Sequence, residues 1–182
     1  MIYLPNILSL IRIIIVPLIL WLLIKDLFVI SAIAIIIVGL TDFFDGYIAR
    51  KYSSESLLGF YLDSIADKVL IVTIYLILGI KSLLPLYLII LIVSREALIS
   101  GAYLFKLALN LKFNLKPILI SKINTFLQII LIVFVCLITT NQINQMGEAM
   151  FIKNFLIALV TITTIVSLLI YIIMWLKVVG NE

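Results

Sequence analysis

The chain has 182 residues, of which 65% are hydrophobic and only 12% are charged, and its mean hydropathy is +1.38. This composition excludes an ordinary water-soluble domain, and the lack of histidine excludes a histidine general base and zinc sites built from histidine. The net charge of +4 suits a membrane rich in anionic lipid, whereas no aromatic-interleaved basic stripe supports nucleic-acid binding.

Apolar stretches of about 20 residues follow one another along the chain, and this is the length that a transmembrane helix needs. The sequence therefore predicts an all-α fold, an integral membrane bundle of six transmembrane helices. The loops leave no room for a separate soluble domain, so residues 1–182 form a single domain. The predicted spans are residues 7–25, 28–49, 57–79, 83–105, 117–139 and 153–176.

Lysine and arginine are distributed unevenly between the two sets of loops, and this asymmetry indicates orientation. With the N-terminus inside, the inner side carries Arg12, Arg50, Lys51, Lys106, Lys112, Lys116 and Lys177, and the outer side Lys25, Lys81 and Lys153. The sequence predicts a multi-pass protein of the inner (cytoplasmic) membrane with both termini in the cytoplasm. In an organelle, the corresponding face would be the matrix side.

Four aspartates interrupt the second and third apolar stretches. Asp42 and Asp45 are three residues apart, and Asp63 and Asp67 are four apart, so each pair shares one helical face. Four unpaired ionised aspartates inside a membrane would cost on the order of 10 kcal/mol. A divalent cation offsets such clustered charge, and an all-oxygen site favours Mg²⁺ or Mn²⁺. We therefore predict a metal site at the membrane face that opens toward the cytoplasm.

A cation transporter is the non-enzymatic alternative, because intramembrane acids also mark ion pathways. A transporter would be expected to distribute its acids along the depth of several helices. Here all four aspartates fall within one predicted helix–turn–helix, which favours a localised site.

The spacing of acidic and small residues resembles the signature of the CDP-alcohol phosphatidyltransferases. It reads Asp42-x-x-Asp45-Gly46-x-x-Ala49-Arg50, followed by Gly59-x-x-x-Asp63-x-x-x-Asp67. The resemblance covers nearly the whole chain, through the opening LPNILSLIRIIIVP and the later segments ADKVLIV and IVSREALIS.

By this resemblance, two divalent ions bind the four aspartates, and Asp67 also deprotonates the acceptor hydroxyl. Gly46, Ala49, Arg50 and Gly59 bind the CDP moiety of CDP-diacylglycerol. The acceptor then displaces CMP at the lipid-bearing phosphorus. Related enzymes are commonly dimers, so the resemblance also implies a homodimer.

Two departures from the family pattern concern the acceptor. Members that use glycerol 3-phosphate typically carry a further arginine and lysine where this chain has Tyr103 and Asn124. A phosphomonoester carries close to two negative charges and suits paired cations. The string LKPILISKINTFLQ is instead similar to mitochondrial-type cardiolipin synthases, which implies phosphatidylglycerol as acceptor, bound by Arg95, Lys122 and Asn124. Glycerol 3-phosphate, the acceptor of phosphatidylglycerophosphate synthases, stays open as the alternative.

Overall fold

A computed structural model describes residues 15–52, 57–108, 119–140 and 147–179, and over these residues the chain is helical with no strand. Side chains are described for residues 15–41, 68–102, 119–140 and 147–176. The all-α prediction is confirmed for this part of the chain. The helices are α1 (Ile15–Ile24), α2 (Phe28–Tyr52), α3 (Leu57–Ile80), α4 (Leu86–Ala108), α5 (Leu119–Thr140) and α6 (Gly147–Val179).

Two helical segments are long and apolar enough to cross a membrane, judged by length and composition: Leu119–Thr140 and Gly147–Leu176. Within the described residues, the apolar parts of the first three helices are shorter, at Ile15–Ile24, Phe28–Thr41 and Lys68–Ile80. Two of the six predicted transmembrane helices, α5 and α6, thus meet the criterion of length and composition, and the number of six is not confirmed.

Large apolar side chains lie on the outside of every helix. Ile80 is 83% exposed, and Phe151 and Leu119 are each 73% exposed. Monomeric soluble proteins rarely expose contiguous apolar patches larger than a few hundred Å². Because this surface is apolar on all helices, lipid is the surrounding that suits it.

Helix α5 occupies the centre of the bundle, where it packs against α2, α3 and α6, while α4 packs against α3 and α6. Its residues Leu131, Ile132, Val135 and Cys136 are fully buried. They recur at helical spacing, so one continuous face of α5 forms the middle of the core. The Cys136 thiol is unpaired within this core.

Lys81 joins the α1–α2 turn to the α3–α4 turn. Its Nζ donates to Oδ1 of Asp26 at 2.6 Å and to the carbonyl oxygen of Ile24 at 3.3 Å. Asp26 and Ser82 have the positive φ angles of tight turns, 61° and 57°. The start of α2 therefore lies beside the end of α3. Helix α2 ends and α3 begins at the opposite end of the bundle.

Helix α6 begins at Gly147, earlier than the predicted span that starts at residue 153. Glu148 lies in its first turn, where the helix dipole stabilises a carboxylate by about 0.3–1 kcal/mol. A search for apolar runs does not detect a polar first turn, and the predicted start was too late for this reason.

Candidate active site

The acidic motif lies on two consecutive helices. Helix α2 runs through Asp42 and Asp45, and α3 runs through Asp63 and Asp67. The helical spacing within each pair is thus confirmed for the backbone. The four carboxylates lie outside the described side chains, so their role as metal ligands stays a prediction. Among the side chains that are described, no group of three or more histidine, cysteine, aspartate or glutamate residues is placed to hold a metal.

The predicted CDP-binding residues share this position. Gly46, Ala49 and Arg50 lie on the last turns of α2, and Gly59 lies on the first turn of α3. Their surroundings also fall outside the described side chains. The backbone therefore places all eight signature positions on the C-terminal half of α2 and the N-terminal half of α3.

A buried arginine on α4 is the main polar feature of the described side chains. Arg95 is only 2% exposed, and its Nη1 donates to Oε1 of Glu96, which is 6% exposed. Its Nη2 donates to the hydroxyl of Ser121 on α5 and to that of Ser167 on α6, the latter at 3.3 Å. Three helices thus hold one guanidinium group, whose Nε has no partner among the described residues.

Because Arg95 is buried, it does not act as an interfacial anchor. An arginine near a helix end in a membrane ordinarily extends its head group to the water interface. Arg95 instead points into the bundle, where removal of a charge from water costs several kcal/mol unless ion pairs and hydrogen bonds compensate. Glu96, Ser121 and Ser167 supply that compensation, and the unpaired Nε leaves one donor for a bound molecule.

Lys68 extends this arrangement toward the acidic motif. It directly follows Asp67 on α3, and its Nζ donates to Oγ of Ser100 at 3.0 Å. Ser100 lies one helical turn after Glu96, and Lys68 interacts electrostatically with both Glu96 and Arg95. We refer to Lys68, Arg95 and Glu96 as the charged cluster. Two cations and one anion give this cluster a net charge of +1.

The contact between α5 and α6 next to Arg95 is also polar. Asn124 is fully buried, and its Oδ1 accepts hydrogen bonds from the hydroxyls of Thr163 at 2.8 Å and Thr164 at 2.9 Å. Its Nδ2 has no partner among the described residues, and the same holds for the side-chain amide of Gln128 one turn further along. An unpaired buried amide costs about 1–3 kcal/mol, so Asn124 offers a donor that a bound molecule could use.

The three predicted acceptor residues are only partly brought together. Arg95 and Asn124 both contact α6, at Ser167 and at Thr163 and Thr164, which are about one turn apart. Lys122 lies on the same turn of α5 but is exposed, so it faces away from the buried side chains.

Sequence reasoning missed Ser121 and Ser167, which hold the guanidinium group. Ser121 precedes Lys122 in an apparently ordinary helix start. Thr163, Thr164 and Ser167 recur at helical spacing within the otherwise apolar α6. That recurrence is the signal by which the polar face of α6 could have been identified.

The fold and site define a helical protein with a lipid-compatible surface, an acidic motif on two consecutive helices, and the charged cluster. A sequence model of the family described as CDP-alcohol phosphatidyltransferase matches residues 2–180. The chain therefore belongs to the CDP-alcohol phosphatidyltransferase family, which confirms the resemblance drawn from the signature.

Curated relatives carry two kinds of name. The human protein named cardiolipin synthase (CMP-forming) is 37% identical over 144 residues, which cover 70% of this chain and 48% of the human protein. A Schizosaccharomyces pombe cardiolipin synthase (CMP-forming)/mitochondrial hydrolase fusion protein is 37% identical over 180 residues, 90% of this chain and 29% of the fusion. The chain thus spans about half, or less, of the length of these relatives.

The second kind of name refers to a different acceptor. The Rickettsia typhi protein named CDP-diacylglycerol–glycerol-3-phosphate 3-phosphatidyltransferase is 38% identical over 131 residues, which cover 69% of this chain and 71% of the relative. Relatives with both names therefore match at similar identity. The acceptor has to be argued from the site.

Proposed function

We propose that this chain transfers the phosphatidyl group of CDP-diacylglycerol to a glycerol hydroxyl of phosphatidylglycerol, releasing CMP and forming cardiolipin. Membership of the CDP-alcohol phosphatidyltransferase family supports the donor and the reaction type. The net charge of +1 on the charged cluster carries the choice of acceptor. Glycerol 3-phosphate is the second candidate, and the name of the Rickettsia typhi relative favours it.

The reaction needs a base and a means of stabilising the leaving group. The acceptor oxygen forms a bond to the lipid-bearing phosphorus of CDP-diacylglycerol as the bond from this phosphorus to the oxygen of CMP breaks. In this proposal, Asp67 accepts the proton of the attacking hydroxyl. Gly46, Ala49, Arg50 and Gly59 bind the CDP moiety.

The donor chemistry of the motif suits two hard cations, since Asp42, Asp45, Asp63 and Asp67 offer only carboxylate oxygens. When bound, Mg²⁺ or Mn²⁺ would supply positive charge to the diphosphate and to the departing CMP. The chain supplies neither histidine nor a second cysteine that would favour a softer metal.

The choice of acceptor rests on the balance between the charge of its phosphate and the charge of the cluster that would bind it. A phosphodiester such as phosphatidylglycerol carries one negative charge, whereas a phosphomonoester carries about 1.5 to 2 at neutral pH. Glu96 already neutralises one of the two cations, of which Arg95 is buried and Lys68 partly buried, so the charged cluster balances a single charge. In this proposal, the acceptor phosphate binds at Arg95 and the amide of Asn124 contacts the rest of the head group. Lys122 was also expected to bind the acceptor, but it faces away from these buried side chains and is not assigned a contact.

The asymmetry of basic residues supports a place in the inner (cytoplasmic) membrane, with the active site on the cytoplasmic side. The family resemblance supports a homodimer. The membrane location and the homodimer are both part of the proposal. The two lipid substrates would enter the active site from the surrounding membrane.

Substitution of the motif tests the reaction. We expect Asp67→Asn to reduce CMP release from CDP-diacylglycerol by at least 100-fold, the low end of the contribution of a general base, and Asp63→Asn to reduce CMP release through loss of a proposed metal ligand. Asp26→Asn is the matched control, because Asp26 is exposed and lies at the opposite end of the bundle. Purified protein in detergent would be assayed with Mg²⁺ or Mn²⁺, and membrane insertion of each variant would be measured. Full activity in both motif variants would contradict the proposal.

A further inference from the structure

A cavity of about 290 Å³ lies between α4 and α6 and is almost entirely apolar. The α4 residues that line the cavity lie on the side of α4 that packs against α6. The α6 residues that line it lie toward the C-terminal end of that helix. The cavity is lined by Arg95, Ala97, Leu98, Ile99, Gly101, Ala102, Leu168, Tyr171, Ile172 and Trp175.

One feature of the lining points to a ligand, and a second allows the ligand to be tested. Arg95 lies in the wall, is almost completely buried, and keeps an unpartnered Nε among the described residues. At Gly101, a Cβ atom would meet no other atom within 4 Å, so a larger side chain can be introduced at this wall without a clash at its base. The cavity is thus apolar along its length, with one buried arginine in its wall.

The size suits part of a hydrocarbon chain. Its volume is roughly twice that of the ~150 Å³ apolar cavity that accommodates benzene in an engineered protein. A whole diacyl tail does not fit, but a segment of one acyl chain does. The remaining tail would lie against the exposed apolar side chains of α4 and α6, such as Leu98 and Ile173.

We propose that the α4–α6 cavity holds the upper part of one acyl chain of the acceptor phospholipid, with the acceptor phosphate at Arg95. This inference rests on the proposed function, since it requires an acceptor that is itself a lipid. Charge complementarity identifies the occupant, because a lone apolar cavity would suit any acyl chain but a buried guanidinium group at its wall selects an anionic lipid.

The position of the charged cluster distinguishes the acceptor from the donor lipid. Lys68 directly follows Asp67 of the acidic motif, and Arg95 lines the cavity, so the charged cluster lies between the two. An acceptor with its phosphate at Arg95 can direct its free glycerol hydroxyl toward Asp67 and its acyl chain into the cavity. The donor diphosphate belongs with the motif on α2 and α3.

The test compares two acceptors in a variant that fills the cavity. Gly101→Phe would be assayed with dioleoyl phosphatidylglycerol and with its deacylated analogue, glycerophosphoglycerol. We expect the ratio of kcat/KM for the long-chain acceptor over the deacylated one to fall roughly tenfold, the effect of excluding about two methylene groups. Gly147→Phe is the matched control, since a Cβ there also meets nothing within 4 Å and Gly147 lies at the other end of α6.

Three results would overturn the proposal. They are an unchanged ratio in Gly101→Phe, an increase in KM for CDP-diacylglycerol in place of a change in the ratio, and a loss of dimer with an unchanged ratio. The last two would assign the cavity to the donor lipid or to a second copy of the chain.

A second measurement separates this inference from the proposed function. Wild-type protein would be irradiated with phosphatidylglycerol that carries a photoreactive diazirine near the head-group end of its acyl chain. We expect labelling of peptides that contain Leu98 or Tyr171, and labelling elsewhere would refute the acyl-chain site. Failure of wild-type protein to use phosphatidylglycerol would refute the proposed acceptor and this inference together, whereas turnover of phosphatidylglycerol with labelling elsewhere would refute the acyl-chain site alone.

Discussion

Glu96→Gln is the substitution that changes the charge of the site with the least change of shape. In the wild type, Lys68 and Arg95 contribute two positive charges and Glu96 one negative charge, which gives +1. The variant retains a side chain of the same size and raises the charged cluster to +2. We therefore expect it to shift the acceptor preference from the phosphodiester toward the phosphomonoester.

The size of the shift follows from Coulomb's law. For an assumed separation of about 8 Å between the acceptor phosphate and the Glu96 carboxylate, and an effective dielectric constant of about 20, one unit charge interacts with another by about 2 kcal/mol. The extra charge of a phosphomonoester over a phosphodiester is about 0.5 to 1, so the shift is about 1–2 kcal/mol. This corresponds to a change of roughly 5- to 30-fold in relative kcat/KM.

The assay is a competition in which one enzyme sample receives phosphatidylglycerol and glycerol 3-phosphate together. The ratio of cardiolipin to phosphatidylglycerophosphate formed does not depend on the fraction of active protein. That independence matters, because breaking a buried ion pair can cost about 3–5 kcal/mol of stability. Arg95 retains its bonds to Ser121 and Ser167, so we expect a loss at the low end of this range.

Glu96→Asp serves as the control, since it keeps the negative charge and changes only the length of the side chain. Its product ratio should stay close to that of the wild type. An identical product ratio in wild type and Glu96→Gln would refute the charge-balance reasoning, whatever the effect on overall rate.

Two further predictions concern the acceptor and the packing. Asn124→Lys combined with Tyr103→Arg should increase kcat/KM for glycerol 3-phosphate relative to phosphatidylglycerol, because both changes add a cation for the second phosphate charge; an unchanged ratio would contradict the acceptor argument. Gly79→Ala should lower the free energy of unfolding by about 1 kcal/mol or less, because a Cβ there would displace the Cδ1 end of the Ile89 side chain, while alanine recovers part of that cost through its higher helix propensity. Ile89→Val removes that atom, so the double variant should recover most of the loss in a thermal-unfolding assay, and additive losses would refute the clash.

The helices were predictable because a membrane span is a long apolar run, and such runs are visible without tertiary information. Their ends were less predictable. The fourth span was expected at residues 83–105, whereas α4 begins at Leu86, directly after Pro85. The carbonyl oxygen of Pro85 accepts a hydrogen bond from the amide of Leu88, so Pro85 directly precedes the first turn of α4. Ser82 in the preceding turn has a positive φ angle, which ends α3.

The motif was predictable for a different reason. Spacings of three and four residues place Asp42 with Asp45, and Asp63 with Asp67, on common faces of α2 and α3, whatever the rest of the chain does. Helical backbone over both pairs agrees with that reasoning. The spacing of these residues in the sequence was therefore enough to predict which aspartates share a helical face.

The surroundings of Arg95 were not predictable, because they depend on contacts between distant segments. Ser121 and Ser167 lie 26 and 72 residues away in the chain. Only the packing of α4 against α6, and of α5 against α6, brings them to the guanidinium group. The apolar cavity arises from the same packing, with Gly101 as its one local signal.

We propose that the net charge of +1 on the charged cluster selects a phosphodiester acceptor, and a direct acceptor assay tests this selection. Purified full-length chain, CDP-diacylglycerol and Mg²⁺ or Mn²⁺ would be combined with equal concentrations of phosphatidylglycerol and glycerol 3-phosphate, and CMP release and lipid products would be followed. The account predicts cardiolipin as the main product. Phosphatidylglycerophosphate as the main product would contradict it.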